Sequence, residues 1–173
     1  MQDVNSTYFT WAAVEIVPGS TGYRLPTQAQ WEYACRAGTK TAFNLPVPDG
    51  SELDWSSPNP IPDDIGWNGF NSGKITRQVG LKPPNTWGLY DTIGNVWEWC
   101  WDGRFNFDSY ELTDPVGDIR PPTMRSQTIS RAERGSGWQG NIMFSGMQSY
   151  ENVFGSIRTP NNNATVGFRV IRP

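Results

Sequence analysis

The sequence predicts a single α+β domain, residues 1–173, with few helices, short antiparallel strands and long loops. Its 173 residues are enough for one domain with a buried core. The 18 Gly and 14 Pro indicate many turns, while 9 Trp, 8 Phe and 6 Tyr supply large apolar side chains. Short strand patterns lie far apart and only one strong helix pattern occurs, which favours α+β over a doubly wound sheet.

The helix is predicted at residues 28–37. Thr27 follows a proline and precedes Gln30 by three residues, which is the pattern of a capping box. Gly38 is expected to end the helix because glycine readily adopts the left-handed conformation found there. The side chains expected on its buried face are Trp31, Ala34 and Cys35.

A period of two predicts the strands. Residues 96–101 alternate Val, Glu and Cys with Trp97, Trp99 and Trp101. We expect the Trp face to be core, since aromatic side chains dominate cores, although such a row can also form a stacking platform for a sugar or a base. Further strands are predicted at 8–17, 128–134 and 166–172.

The loops are predicted between these strands. Five prolines exclude a helix or a central strand from residues 43–62. Residues 66–84 form a second loop, which Trp67 and Phe70 are expected to pin to the core.

Two absences exclude whole classes of chemistry. The chain has no His, which excludes Ser-His-Asp and Cys-His catalysis and His-bound metals. It has two Cys, Cys35 and Cys100, too few for a disulfide framework or a four-cysteine zinc site. We expect both to be buried free thiols.

The net charge and the hydropathy of the chain argue against several classes of binding partner. The net charge is −3 and no basic cluster occurs, so neither nucleic acid nor an anionic membrane is expected as the main partner. No run of 18 apolar residues exists, so the sequence encodes no membrane span.

Several segments resemble those of one family. They are Gly22-Tyr23-Arg24-Leu25-Pro26-Thr27 with Trp31-Glu32-Tyr33-Ala34, then Gly88-Leu89-Tyr90-Asp91 with Gly94-Asn95-Val96-Trp97-Glu98-Trp99, and Gly167-Phe168-Arg169-Val170. In this order they resemble the formylglycine-generating-enzyme, or sulfatase-modifying-factor, family, which has a variant of the C-type lectin fold. The resemblance begins near residue 20, so we expect the first part of the family's domain to be absent.

The resemblance fails where the family's chemistry is expected. Arg134-Gly135 before Trp138 is similar to the family's Arg-Gly-Gly-Ser-aromatic motif, after which catalytic members carry two cysteines. Here those positions are Gly140 and Ser145. The related sulfoxide synthases need a His-bound iron, which this chain cannot form. We therefore expect no enzymatic activity and no required cofactor. A degenerate or redirected enzyme of this class and a purely structural envelope protein are the alternatives.

The C-terminal segment has the composition of a binding surface. Between residues 138 and 166 only Glu151 and Arg158 are charged, and Asn, Ser and Gly surround scattered aromatics. Antibody paratopes have this composition, although a floppy loop of the same residues is the alternative. A scaffold of this family with such a segment resembles the variable proteins of diversity-generating retroelements, in which a reverse transcriptase randomises adenines at the 3′ end of the gene. The resemblance implies a variable, ligand-displaying region at 134–170, a cell-surface location and a protein or carbohydrate ligand.

We expect the residues that vary and contact the ligand to be exposed to solvent. They are Asn141, Ile142, Phe144, Ser145, Ser149, Tyr150, Asn152, Phe154, Asn161, Asn162, Asn163 and Thr165. Random substitutions in a packed core cost about 1–5 kcal/mol each, so variable positions should avoid the core. Trp138, Phe168 and Val170 are expected to be buried scaffold.

The resemblance also implies a Ca²⁺ site. Its ligands would be the side chains of Asp91 and Glu98 and the backbone carbonyls of Gly94 and Val96. Carboxylate and carbonyl oxygens are the ligands that Ca²⁺ prefers. Alternatively, Asp91 caps a turn and Glu98 pairs with an arginine such as Arg169.

Overall fold

Four regular elements form within the residues that the computed structural model describes, which are 16–39, 63–103, 131–139 and 165–172. They are the helix α1 (Gln28–Arg36) and the strands β1 (Trp97–Gly103), β2 (Arg131–Arg134) and β3 (Val166–Phe168). One helix, a small sheet and long connections confirm the predicted α+β class. Within these residues we find no helix whose length and hydrophobicity would let it span a bilayer.

The local sequence sets both ends of α1. The Thr27 hydroxyl accepts a hydrogen bond from the Gln30 N–H at 3.2 Å, and the Gln30 carboxamide oxygen accepts one from the Thr27 N–H at 3.1 Å. This reciprocal pair is the predicted capping box. The helix ends one residue before the predicted position, because Ala37 is already left-handed with a φ of 46°. Trp31 and Cys35 are buried, as predicted.

The sheet is mixed, with the order β2-β1-β3. β1 pairs with β2 in the antiparallel sense and with β3 in the parallel sense. The expectation of antiparallel strands is therefore wrong for β3. A long connection separates β1 from β3 in sequence, and a connection of that length lets the chain return and pair in the same direction.

α1 packs against β1 through polar contacts at its N-terminus. The Gln28 N–H donates to Asp102 Oδ1 at 2.8 Å, and the Gln28 side chain donates to the Gly103 carbonyl at 2.7 Å. Asp102 is fully buried, and its carboxylate lies where the helix dipole favours negative charge.

Side chains from the 85–86 turn complete the other end of α1. Asn85 Nδ2 donates to the carbonyls of Ala34 at 2.8 Å and Cys35 at 3.1 Å. The Thr86 hydroxyl donates to the Ala37 carbonyl at 2.8 Å. These bonds satisfy carbonyl groups that have no partner inside the helix, so α1 is fixed at both ends.

The buried face of β1 is the opposite of the predicted one. Glu98, Cys100 and Asp102 are buried, whereas the three tryptophans that alternate with them are half-buried. The prediction that the Trp face is the core is therefore wrong, because α1 covers the other face. Phe70 is exposed and does not pin its loop; Asn68 and Ser72 are buried there instead.

Gly94 allows a close backbone approach beneath the start of β1. It forms a parallel bridge with Trp67, and its φ is +80°. A Cβ atom at this position would lie 2.2 Å from the Trp67 carbonyl oxygen, so only glycine fits. The 66–72 turn is thereby held directly against the residues that lead into β1.

Candidate functional site

The segment predicted to bind ligand, residues 138–165, is called the display segment below. The predicted positions from Asn141 to Asn163 lie outside the described residues, as do Gly140 and Ser145. The structure describes the start of the display segment at residues 138–139 and its end at Thr165.

Both ends of the display segment are held beside the start of β1. The Trp138 N–H donates to the Asn95 carbonyl at 2.8 Å, and the Trp97 N–H donates to the Thr165 carbonyl at 2.9 Å. Gly137 lies between them, since a Cβ atom there would be 3.0 Å from Trp97 Cδ1 and 3.7 Å from the Thr165 oxygen. The two ends of the display segment therefore lie close together beside the start of β1.

The structure corrects four of the exposure predictions near this place. Thr165 is 7% exposed, so it is not the solvent-facing position we expected. Its carbonyl accepts the hydrogen bond from the Trp97 N–H of β1. Phe168 and Val170, expected to be buried, are 71% and 46% exposed. They lie at and just after β3, an edge strand, on the side where α1 does not pack. Trp138 is only half-buried.

Asn95 connects the segments around this place, and the sequence reasoning gave it no role. Its φ is 63°, and its backbone N–H donates to the Trp67 carbonyl at 2.8 Å. Its side chain accepts from the Arg77 N–H at 2.9 Å and donates to the Arg77 carbonyl at 3.1 Å. Asparagine tolerates the left-handed conformation, so an Asn directly after Gly94 is the signal that could have identified it.

Three buried N–H groups near Asn95 make no hydrogen bond with any of the residues that the structure describes. They are Trp67 Nε1, Asn68 Nδ2 and Trp138 Nε1. Trp67 and Trp138 both bond to the backbone of Asn95, and the Ser72 hydroxyl links Asn68's turn to the Trp138 carbonyl at 3.3 Å. Buried donors without acceptors are uncommon, so this region differs from an ordinary core.

The Arg-Gly segment before Trp138 belongs to the scaffold. Arg134 is almost fully buried, and its Nη2 lies 3.1 Å from Glu32 Oε2 of α1. Glu32 also pairs with Arg36 at 2.9 Å. Gly135 has a φ of +90°, and its carbonyl accepts from the Gly94 N–H at 2.6 Å. This segment therefore ties β2 to α1 and to the turn before β1.

The carboxylate of Glu98, the second residue of β1, is buried. Glu98 Oε2 accepts from Trp31 Nε1 at 2.7 Å and from Arg169 Nε at 2.9 Å, and Glu98 Oε1 accepts from Arg169 Nη2 at 2.8 Å. Burial lowers the pKa of the Arg169 guanidinium, but its hydrogen bonds and charge interaction with Glu98 outweigh this and leave its pKa raised. The guanidinium therefore contacts the Glu98 carboxylate with two hydrogen-bond donors, which is the bidentate geometry of strong arginine–carboxylate pairs.

The two side chains implied as Ca²⁺ ligands, Asp91 and Glu98, contact groups of the chain itself in this structure. Asp91 Oδ2 accepts from the Gly80 N–H at 2.7 Å, and both oxygens of Glu98 contact Arg169. These are the contacts of the alternative, a turn cap and an ion pair. Within the described residues no cluster of three or more His, Cys, Asp or Glu is placed to hold a metal ion.

The two cysteines are buried free thiols, as predicted. Burial raises the pKa of the Cys35 thiol from 9.0 to about 12, and burial also raises the pKa of Cys100 well above 9.0. Cys35 lies 3.7 Å from the Thr92 carbonyl. Because the thiolate is the reactive form, neither side chain is a nucleophile near neutral pH.

Several known proteins are similar to this chain over part of their length. The solved structure of Treponema denticola variable protein 1 superposes with a TM-score of 0.71 at 30% identity, covering 97% of this chain and 54% of that one. The formylglycine-generating enzyme of Mus musculus is 33% identical over 94% of this chain and 40% of its own. That of Mycobacterium tuberculosis is 42% identical over 66% of this chain and 39% of its own.

The chain thus spans about half the length of these relatives, or less. The sequence profile of the sulfatase-modifying factor enzyme 1-like domain matches residues 2–173. The match starts well before residue 20, where the resemblance was expected to begin. The chain belongs to the sulfatase-modifying factor enzyme 1-like domain family, with the lectin-like fold of its variable-protein relative.

Proposed function

We propose that this chain is a non-enzymatic binding protein whose lectin-like scaffold presents the display segment to a ligand. The observation that carries the proposal is the common anchor of the segment's two ends, at Asn95 and Trp97. Ends held by backbone hydrogen bonds allow the side chains between them to change without altering the scaffold. Loops on a rigid scaffold are the usual place for binding residues.

The thiol chemistry of the family has no counterpart that we can identify in this chain. The positions of the two family cysteines carry Gly140 and Ser145. Cys35 and Cys100 are buried with raised pKa values, so neither supplies a thiolate. These facts support a role in binding.

The proposed ligand is a protein or a carbohydrate at the cell surface, and the proposed source of diversity is a retroelement. Phe144 and Tyr150 would act as aromatic anchors, and truncating a hot-spot anchor costs about 2 kcal/mol or more of binding free energy.

A substitution scan tests the division between scaffold and display. Alanine at Asn141, Phe144, Ser149 or Tyr150 should shift the melting temperature by only a few degrees. Asn95→Ala is the scaffold control and should melt the domain much earlier, because it removes both bonds to Arg77. If the display positions prove as intolerant as Asn95, the segment is core and the proposal fails.

The genome tests the origin of the diversity. A reverse transcriptase gene beside this gene, with a near-copy of the gene's 3′ end that differs at adenines, would support the retroelement. If the locus contains neither the reverse transcriptase gene nor the near-copy, the proposed retroelement origin is wrong. The proposed binding role is then tested by the substitution scan alone.

The second candidate is a redirected enzyme, which the similarity to the mouse and mycobacterial formylglycine-generating enzymes favours. The two candidates differ in one assay. Incubation with a peptide that carries a sulfatase cysteine motif should yield no formylglycine by mass spectrometry. Formation of formylglycine would overturn the binding-protein proposal.

A further inference from the structure

One edge of β3 has no neighbouring strand among the residues that the structure describes. The sheet order is β2-β1-β3, so β1 lies on one side of β3 only. The Trp97 N–H donates to the Thr165 carbonyl at 2.9 Å, and Trp97 is the register partner of Val166. Backbone groups of successive residues point to opposite edges of a strand, so those of Val166 and Phe168 point away from β1.

The side chains beside this outer edge are apolar and exposed to solvent. Phe168 and Val170 are 71% and 46% exposed. Arg169, the charged residue between them, is turned inward to Glu98. Natural edge strands are usually blunted by an outward lysine, a proline or a bulge, and residues 166–170 contain no lysine and no proline. The outer edge therefore has the features of a strand that another strand covers.

We propose that the outer edge of β3 pairs with a strand from the part of the family's fold that lies outside these 173 residues. The superposed region is 54% of Treponema denticola variable protein 1, so a large part of that protein has no counterpart in this chain. An added strand satisfies the outward backbone groups, and its apolar side chains cover Phe168 and Val170. β3 then becomes an inner strand of the sheet.

The length of β3 favours this occupant over a second copy of the chain. β3 has three residues, and two such edges paired with each other would bury far less than the roughly 1,200 Å² of a stable interface. A strand that belongs to the same fold does not need that area from β3 alone, because the rest of the fold also holds it in place.

Amide hydrogen exchange of the 173-residue chain, followed by NMR, is the first test. The N–H groups of Val166 and Phe168 should exchange faster than those of Gly167 and Arg169, which point toward β1. If all four are equally protected, the outer edge is already paired and the proposal is wrong. Light scattering of the same sample should give a monomer. A dimer that Phe168→Asp converts to a monomer would identify a second copy as the occupant and overturn the proposal.

The second test supplies the proposed strand in a chimera, in which this chain replaces the region of variable protein 1 that superposes on it. The N–H groups of Val166 and Phe168 should exchange about tenfold more slowly in the chimera than in the chain alone. Phe168→Asp should lower the melting temperature of the chimera by several degrees more than that of the chain alone. Tyr33→Asp is the matched control, because Tyr33 is an aromatic residue of α1 with a similar exposure of 69%. It should shift both melting temperatures equally.

The chimera can also contradict the proposal. If it folds and both amides exchange as fast as in the chain alone, the proposal is wrong. If it does not fold, the remaining part of variable protein 1 is co-expressed with this chain as a separate polypeptide. Co-purification that Phe168→Asp abolishes and Tyr33→Asp preserves would support the proposal. Failure to co-purify, or co-purification that Phe168→Asp leaves unchanged, would overturn it.

Discussion

The face of β1 that carries carboxylates is buried and the face that carries tryptophans is half-buried, which is the reverse of what is expected of a strand. The face toward α1 carries Glu98 and Asp102, which are 6% and 0% exposed. The other face carries three half-buried tryptophans, and Phe168 opposite Trp99 in β3 is mostly exposed. Two carboxylates therefore lie in the core, while the aromatic face borders it.

This difference shows that burial in this domain follows the available partners. Glu98 has the Arg169 guanidinium and the Trp31 indole, and Asp102 has the N-terminus of α1. A buried charge is tolerated when it is paired and hydrogen-bonded, and is very costly otherwise. The predictions below test how much each face contributes.

The largest effect is expected from Glu98→Ala. The substitution leaves the Arg169 guanidinium and the Trp31 N–H without their shared acceptor. Removing one partner of a buried ion pair costs about 3 kcal/mol or more of unfolding free energy. Urea denaturation monitored by tryptophan fluorescence measures this loss.

A double variant separates the lost pairing from lost packing. Glu98→Met combined with Arg169→Met removes both charges and keeps similar volume, so it should be more stable than Glu98→Ala. If the double variant is as unstable as the single one, the unpaired charge is not the cause.

The next effect is expected from Asp102→Ala, at about 2 kcal/mol, because a hydrogen bond to a charged group is lost. The Gln28 N–H loses its acceptor at the first turn of α1. Hydrogen exchange of this amide should accelerate more than that of residues in β1. Asp102→Asn retains an acceptor oxygen and should cost less. Equal losses in the two variants would argue against the helix-capping role.

An effect that is expected only above pH 9 concerns the buried thiol of Cys35 in α1. Burial raises the pKa of Cys35 from 9.0 to about 12, so the folded state keeps a proton that the unfolded chain releases. Its contribution to stability is complete below pH 9 and is lost as the pH rises toward 12. The loss is at most about 1.4 kcal/mol per pH unit.

Cys35→Ala is the control for this dependence, because it removes the thiol and leaves every other titratable group in place. Stability above pH 9 should fall more steeply with pH in the wild type than in Cys35→Ala. Parallel pH profiles would show that the thiol does not remain protonated in the folded state.

The helix and the strands were predictable because their signals are local. Thr27 and Gln30 determine the start of α1 within four residues of sequence, and the alternation around Trp99 identifies β1. Which face of β1 is buried was not predictable, since this depends on α1, a segment more than sixty residues earlier. Hydropathy alone selects the tryptophans and gives the wrong face.

The candidate site was predictable only in part. Composition marks the display segment, and the alternative given for Asp91 and Glu98 matches the contacts that the structure shows. Asn95 was missed because its role consists of backbone and side-chain bonds to three distant segments. Thr165 was misplaced because its burial depends on the end of the display segment returning to Trp97.

The smallest effect is expected from Phe168→Ala, on the aromatic side of the comparison. From the sequence alone this residue was expected to be core, and its truncation would then cost about 3–5 kcal/mol. With 71% of the residue exposed, the loss should instead be about 0.5 kcal/mol or less. Thermal melting of Phe168→Ala beside Glu98→Ala measures the contrast directly. If Phe168→Ala is the less stable of the two, the aromatic face contributes more to the fold than the charged one.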